Sequence, residues 1–275
     1  EMAVEQDGRI GVLPPADAWG MIGSLSGLTA QTKEATDALT RAKLPVLGNI
    51  DWYATQNHAS VTTGTRSGDA LIDGASQNVT YATAKATDWT QTLTIDAVGN
   101  AKTVVAGEVF TIANVYACNP LTKARLPYLQ QFVVITGGTS AASGSASAQD
   151  LSLTISPPII TSGAYQTVVC AGTSSTAPDD DAAIQWMGND TESATASTTY
   201  RFGTVFRPEA LALVSAKLIM PYSGEADFAT DPDTGLTVRY WRTSDGINDT
   251  HLHRFDVIYG VKNVDPRRGV RISGT

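Results

Sequence analysis

Between Gln77 and Gly188 the apolar residues come in short runs closed by turn residues: Thr90 to Asp96, Glu108 to Ala113, Gln131 to Thr136, Leu151 to Ser156, Gln166 to Cys170 and Ala183 to Met187. Runs this short, alternating or rich in β-branched residues, are strands, and six in succession predict a barrel or a sandwich. Gly99-Asn100, Gly137-Gly138 and Ser162-Gly163 supply turns between them. Gly137 to Gln149, built of Gly, Ser, Thr, Ala and one Gln, reads as a flexible surface loop.

The flanks have a mixed texture. Arg9 to Leu13 reads as a short strand, and Pro14-Pro15-Ala16-Asp17 opens a helix to about Ser26, because proline fits a first turn whose donors have no partner anyway. Gln31 to Ala42 carries Ala35, Ala38, Leu39 and Ala42 at helical spacing until Pro45 stops it, and a strand follows from Val46 to about Thr55. Beyond Gly188, Arg207 to Leu213 predicts a helix-like turn running into an apolar strand that ends before Pro221. Gly224 to Gly235 reads as a polar, acidic loop and Leu236 to Arg242 as a strand. Phe255, Val257, Tyr259 and Val261 alternate with Asp256, Ile258, Gly260 and Lys262, which predicts one long strand with an apolar face. Asp265-Pro266-Arg267-Arg268-Gly269 then predicts a β-hairpin returning through Val270-Arg271-Ile272. The sum is an α+β body interrupted by a β-rich insert.

With 275 residues, 42% of them apolar, 17% charged and 55 of them Ser or Thr, the chain is globular and large enough for a sizeable core. A net charge of -8 and a pI near 4.8 disfavour capture of a phosphate backbone as the main activity. No apolar run reaches the roughly 20 residues of a bilayer crossing and no basic-then-apolar leader opens the chain, so it reads as soluble. It starts at Glu1, the mark of a processed terminus or of a fragment. Cys118 and Cys170 form no CxxC pair, and the sequons at Asn78, Asn189 and Asn248 carry little weight in a Thr-rich chain.

The signatures of nucleotide loops, serine nucleophiles and zinc hydrolases are all missing. His251 and His253, two apart on a strand, have the spacing of a metal pair but no evident third ligand; polar side chains at a strand start is the simpler reading. Asp179-Asp180-Asp181 and the loop with Asp227, Asp231 and Asp233 lack the spaced ladder of a calcium site and read as solvated charge. Arg267 and Arg268, with Arg271 and Lys262, make a small basic patch able to meet acidic loops of another copy, or simply an exposed hairpin tip. Trp19, Trp52, Trp89, Trp186 and Trp241 are too scattered to form a local stacking cluster and default to core packing.

Ordered segments along the chain carry a family resemblance. Gly107-Glu108-Val109-Phe110-Thr111-Ile112-Ala113-Asn114-Val115-Tyr116-Ala117-Cys118-Asn119-Pro120-Leu121-Thr122-Lys123, then Leu129-Gln130-Gln131-Phe132-Val133-Val134, resembles the insertion-domain signature of the phage P22 coat-protein family, within the HK97-type capsid fold. Leu153-Thr154-Ile155-Ser156-Pro157-Pro158-Ile159-Ile160 is a second match. Ile50-Asp51-Trp52-Tyr53-Ala54-Thr55-Gln56-Asn57, Asn248-Asp249-Thr250-His251 and Arg254-Phe255-Asp256-Val257-Ile258-Tyr259-Gly260-Val261-Lys262 agree in order, so the likeness spans nearly the whole chain.

The resemblance implies an A domain over 9–76 and 189–235, an inserted β-barrel-like domain over 77–188, and peripheral-domain strands with a C-terminal hairpin over 236–275. The N-terminal arm, extended loop and spine helix of such proteins have no counterpart here. It implies a structural major capsid protein, with no catalysis, cofactor or metal, that assembles with itself into hexamers and pentamers around double-stranded DNA. Scaffolding protein and portal are the implied assembly partners, the host cytoplasm the place of assembly, and no membrane is involved. In such proteins the insert is tied to subunit stability and to contacts between capsomers, so the turn Asp96 to Lys102, with Asn100 at its tip, is expected to reach a neighbouring subunit, as are Arg267 and Arg268. Two other readings stand beside this one: a β-rich decoration or receptor-binding module, and a hydrolase in which carboxylates such as Asp245, Asp249 and Asp256 converge.

Overall fold

The computed structural model describes residues 4–26, 46–66, 70–142, 150–187 and 198–273. The elements are β1 (Arg9–Leu13), α1 (Pro15–Ser26), β2 (Ile50–Ala54), β3 (Ser60–Thr62), β4 (Leu71–Ile72), α2 (Tyr81–Ala86), β5 (Gln91–Asp96), β6 (Thr103–Val104), β7 (Val109–Cys118), β8 (Arg125–Thr136) and β9 (Gly138–Thr139). They continue with β10 (Leu151–Ser156), β11 (Val168–Cys170), β12 (Ile184–Trp186), β13 (Thr199–Phe206), β14 (Leu211–Ser215), β15 (Glu225–Thr230), β16 (Thr237–Asp245), β17 (Thr250–Val257), β18 (Tyr259–Asn263) and β19 (Gly269–Ser273). The described chain is mostly β with few helices.

The core belongs to a seven-stranded antiparallel sheet, ordered β11-β7-β8-β10-β5-β4 with β12 also on β7. Its strands are half-buried surfaces of period two: β5 buries Gln91, Leu93 and Ile95, and β10 buries Leu151, Leu153 and Ile155. Register sets Leu153 opposite Leu93 and Phe110 opposite Phe132. Phe110 then packs its ring against Phe132 at 5.7 Å and Trp186 at 5.0 Å between centroids. A Cβ on Gly137 would lie 2.0 Å from the Val104 carbonyl oxygen, so only glycine lets β8 turn so close beneath β6.

A second sheet has five strands, in the order β19-β13-β1-β2 with β3 on the other half of β13. The β1–β2 pair is parallel, from Arg9 opposite Ile50 to Leu13 opposite Ala54, and α1 lies between them in sequence. The smaller sheets are β14-β18, β15-β16-β17 and β6-β9.

All six strand runs of the 77–188 stretch are found as β5, β7, β8, β10, β11 and β12. Strands β7 and β8 outrun their apolar cores because a register shift between Thr111 and Tyr116, with Asn114 at φ 60°, lets β7 bend and go on pairing. Pairing in this sheet starts before Gln77, since Leu71 and Ile72 join β5 as β4. The strand expected from Val46 is shortened by a turn with Gly48 and Asn49 both at positive φ. The helix expected over Gln31 to Ala42 lies outside the described residues.

Four expectations need correction. The run Gly137 to Gln149 is not all loop: Gly138 and Thr139 form β9 and Ser140 is buried; its remainder past Ala142 lies outside the described residues. The acidic segment after Gly224 holds strand β15, whose residues pair with β16 from Glu225–Arg242 to Thr230–Thr237. The long strand through Phe255 to Val261 breaks at Ile258, because β17 pairs with β16 while β18 pairs with β14. The C-terminal hairpin does not form: a 3-10 turn, Pro266–Arg268, redirects the chain so that β19 pairs with β13 rather than with β18.

Candidate functional site

The turn after β5 is built from residues at positive φ, Ala97, Gly99 and Ala101, and is pinned from one side by Ser140. The Ser140 hydroxyl oxygen accepts from the Lys102 amide at 2.9 Å while its O–H donates to the Gly99 carbonyl at 2.5 Å. The Ser140 amide donates to the Lys102 carbonyl at 2.8 Å and the Ala101 amide to the Ala141 carbonyl at 2.8 Å. Asn100 stands exposed at the tip and Lys102 is half-buried. Asp96, at the base, has a buried Oδ1 with no hydrogen-bond partner among the described residues. Burial, and after it the charges of Asp73, Asp181 and Asp150, pushes its carboxyl above the usual range.

Arg267 and Arg268 are engaged within their own chain. Asp265 caps the 3-10 turn by accepting from the Arg267 amide at 3.2 Å. Its two oxygens also take the Arg267 guanidinium at 2.9 and 3.0 Å and Arg268 Nε at 3.1 Å. The Arg267 bond holds the Asp265 carboxyl below its ordinary value. Arg268 reaches Glu209 at 3.8 Å, and Glu209 pairs with Arg207 at 3.2 Å, which also bonds Glu5. Lys262 pairs with Asp88 at 3.0 Å, and Arg271 lies over the Phe202 ring at 4.8 Å, its guanidinium pulled down by burial. Arg267 and Arg268 are therefore held by internal partners beside β19 of the five-stranded sheet, the body sheet, while Lys262 lies on β18 and the Asp96–Lys102 turn at the seven-stranded sheet.

The acidic and histidine candidates resolve into turn and strand chemistry. Asp179 accepts from the Thr173 and Ser174 amides, both at 2.9 Å, and Asp231 from the Thr234 hydroxyl at 2.6 Å. The Tyr240 hydroxyl and His253 Nδ1 are 2.6 Å apart. Among the described residues no group of three or more His, Cys, Asp or Glu is placed to hold a metal ion. Asp245 accepts from the Ile247 amide and Asn248, Asp256 from Arg239 and Arg254, and these bonds hold both carboxyls low, the opposite of a general acid's environment. Cys118 and Cys170 are buried free thiols; burial pushes Cys170 up to about 11, so it is inert as a nucleophile.

Alternation after Arg254 marks an apolar face but is silent on what covers it, and there the structure adds most. Phe255 is 73% exposed, Ile219 86% and Ile247 93%, and Val214, Tyr259, Val261 and Val264 are all exposed as well. This belt of exposed apolar residues lies on β14, β17, β18 and the loops beside them. Trp19 is exposed too, and Trp89 sits in a surface cluster with Tyr81 and Tyr165, so core packing holds for Trp186 but not for these two.

A family model described as P22 coat protein, gene protein 5, matches residues 1–274. No curated protein matches the chain. A solved structure titled CUS-3 coat protein I-domain is similar at 24% identity over 47% of this chain and 98% of that chain, with a TM-score of 0.24. No helix among the described residues is long and apolar enough to cross a membrane. The chain thus belongs to the P22 coat-protein family, and with it to the structural proteins of phage capsids.

Proposed function

We propose that the chain is the capsid-building part of a major coat protein with an HK97-type fold, which closes with its own copies into hexamers and pentamers of an icosahedral shell around double-stranded DNA. In this reading 9–76 and 189–235 form the A domain, 77–188 the inserted β-barrel-like domain, and 236–275 the peripheral strands, with β19 laid back on the body. Scaffolding protein and portal join during assembly in the host cytoplasm.

The observation that carries the reading is the family match over residues 1–274, and the described surface agrees with it: Val214, Ile219, Phe255 and Val261 all stand exposed. Apolar side chains left in water gain by burial against copies of the chain, as repeated interfaces do. The net charge of -8 suits a wall that holds DNA without adhering to it.

Within that shell we assign Asp96, Asn100 and Lys102 to a contact with a neighbouring subunit, since their turn is stiffened from behind and presents its tip to solvent. Arg267 and Arg268 serve the same purpose only through the donors that Asp265 leaves over. Electron microscopy of concentrated protein is expected to show closed shells or polyheads; a species that stays monomeric or trimeric at every concentration overturns the reading. Reversing both charges, Asp96→Lys with Lys102→Glu, is expected to lower particle yield with the monomer still folded by circular dichroism. Normal yield removes the turn from the contact.

A further inference from the structure

The chain crosses from the five-stranded to the seven-stranded sheet at residues 63–66, and this crossing is fastened on both sides. The Thr63 amide donates to the Thr198 carbonyl at 2.9 Å and the Thr198 amide to Thr63 Oγ1 at 3.0 Å, which joins the outgoing and returning segments. The hydroxyls of Thr62 and Thr199 add a contact at 2.8 Å. One residue on, the backbone meets the loop before β7. The Gly64 amide donates to Glu108 Oε1, the Thr65 amide to Thr103 Oγ1 at 3.1 Å, and Arg66 Nη1 to Glu108 Oε2 at 2.7 Å.

Both ions are withdrawn from water, with side chains 5% exposed for Arg66 and 1% for Glu108. The Arg66 guanidinium stacks 4.4 Å above the Trp186 ring of β12, so one side chain touches both ends of the unit. A Cβ on Gly64 would fall 1.8 Å from the Thr103 carbonyl oxygen, and one on Gly107 2.7 Å from Val61 Cγ2. The linker fits this wall with no space to spare.

Two full charges so far from solvent are a poor source of stability, because desolvation offsets most of their attraction and apolar residues of similar volume do as well. What they supply is direction. One oxygen of Glu108 takes the linker's backbone and the other its side chain, and a planar guanidinium accepts few other poses. We propose that Glu108 and Arg66 form a latch that fixes the angle between the seven-stranded sheet and the body sheet, so that the insert is held in one orientation rather than hung on a flexible tether.

The test places spin labels at Leu121→Cys and Tyr53→Cys in the full chain; both positions are exposed, one in the β7–β8 turn and the other on β2, while Cys118 and Cys170 are buried and stay unlabelled. A single narrow distance is expected with the latch intact. In R66M/E108L the thermal midpoint is expected to stay within about 3 °C, while the distance distribution widens roughly twofold as the junction becomes a hinge. R66K keeps the charge but loses the fork and the stack on Trp186, and it is expected to widen the distribution as well. An unchanged width in R66M/E108L overturns the latch, and so does an unchanged width in R66K should the double variant fail to fold.

Discussion

Asp96 is a carboxylate in the wrong company. It closes β5 opposite Leu71, half-buried, with the acids Asp73, Asp150 and Asp181 around it and, among the described residues, no basic partner to offset them. Its raised folded-state pKa means that the protonated form is favoured by folding, so its contribution to stability is fully present below the ordinary value of 3.8 and is lost as pH rises through the folded pKa. Asp96→Asn removes that loss. The variant is expected to melt about 1–2 °C higher than the parent at neutral pH and to match it below pH 3.8, as followed by calorimetry across the range. Ser140 is the complementary case, a small polar residue, 4% exposed, whose hydroxyl is fully used by the turn it supports. Ser140→Ala removes the hydroxyl that accepts from the Lys102 amide and donates to the Gly99 carbonyl. A urea titration is expected to show a loss of about 1–3 kcal/mol, and an unchanged midpoint refutes the support role.

At the level of elements, period-two burial was legible wherever a strand had one wet and one dry face: Leu93 with Ile95 and Leu153 with Ile155 announce β5 and β10 directly. The proline-led start of α1 was equally plain, since the Ala18 amide bonds back to the Pro14 carbonyl at 3.0 Å. Partners were not legible. Nothing local in Phe255 to Val261 says that the hairpin of β17 with β16 stops at Val257 while β18 answers to β14, a strand more than forty residues upstream. The same blindness turned Asp265 to Gly269 into a hairpin: proline and glycine mark a reversal, but only β13, with its edge free at Phe206, decides where the reversed strand goes. Strand β15 was hidden because its Glu225 and Asp227 look like loop, although on an exposed strand such charges simply face water. For the candidate contact residues, sequence named the turn correctly as a turn; that Asp265 occupies both neighbouring arginines depended on a capping geometry that composition does not show.

The whole molecule is lopsided in its packing. The seven-stranded sheet owns nearly all of the fully buried large side chains, from Phe110 and Phe132 to Ile159, whereas β14, β17 and β18 keep their apolar residues in water. Replacing Phe255 and Val261 together by Gln removes apolar area from the open belt without touching that core. The folded chain is expected to change in stability by less than about 1 kcal/mol, with particle yield falling sharply in the same preparation; unchanged yield means that the belt stays bare in the shell. The arrangement of the body sheet also sets an order of events during synthesis. Strand β13 is sandwiched between β1, which precedes the whole seven-stranded unit along the chain, and β19, which follows it. The seven-stranded unit can therefore pair its strands before β19 has been made, whereas the five-stranded sheet stays incomplete until β19 reaches β13.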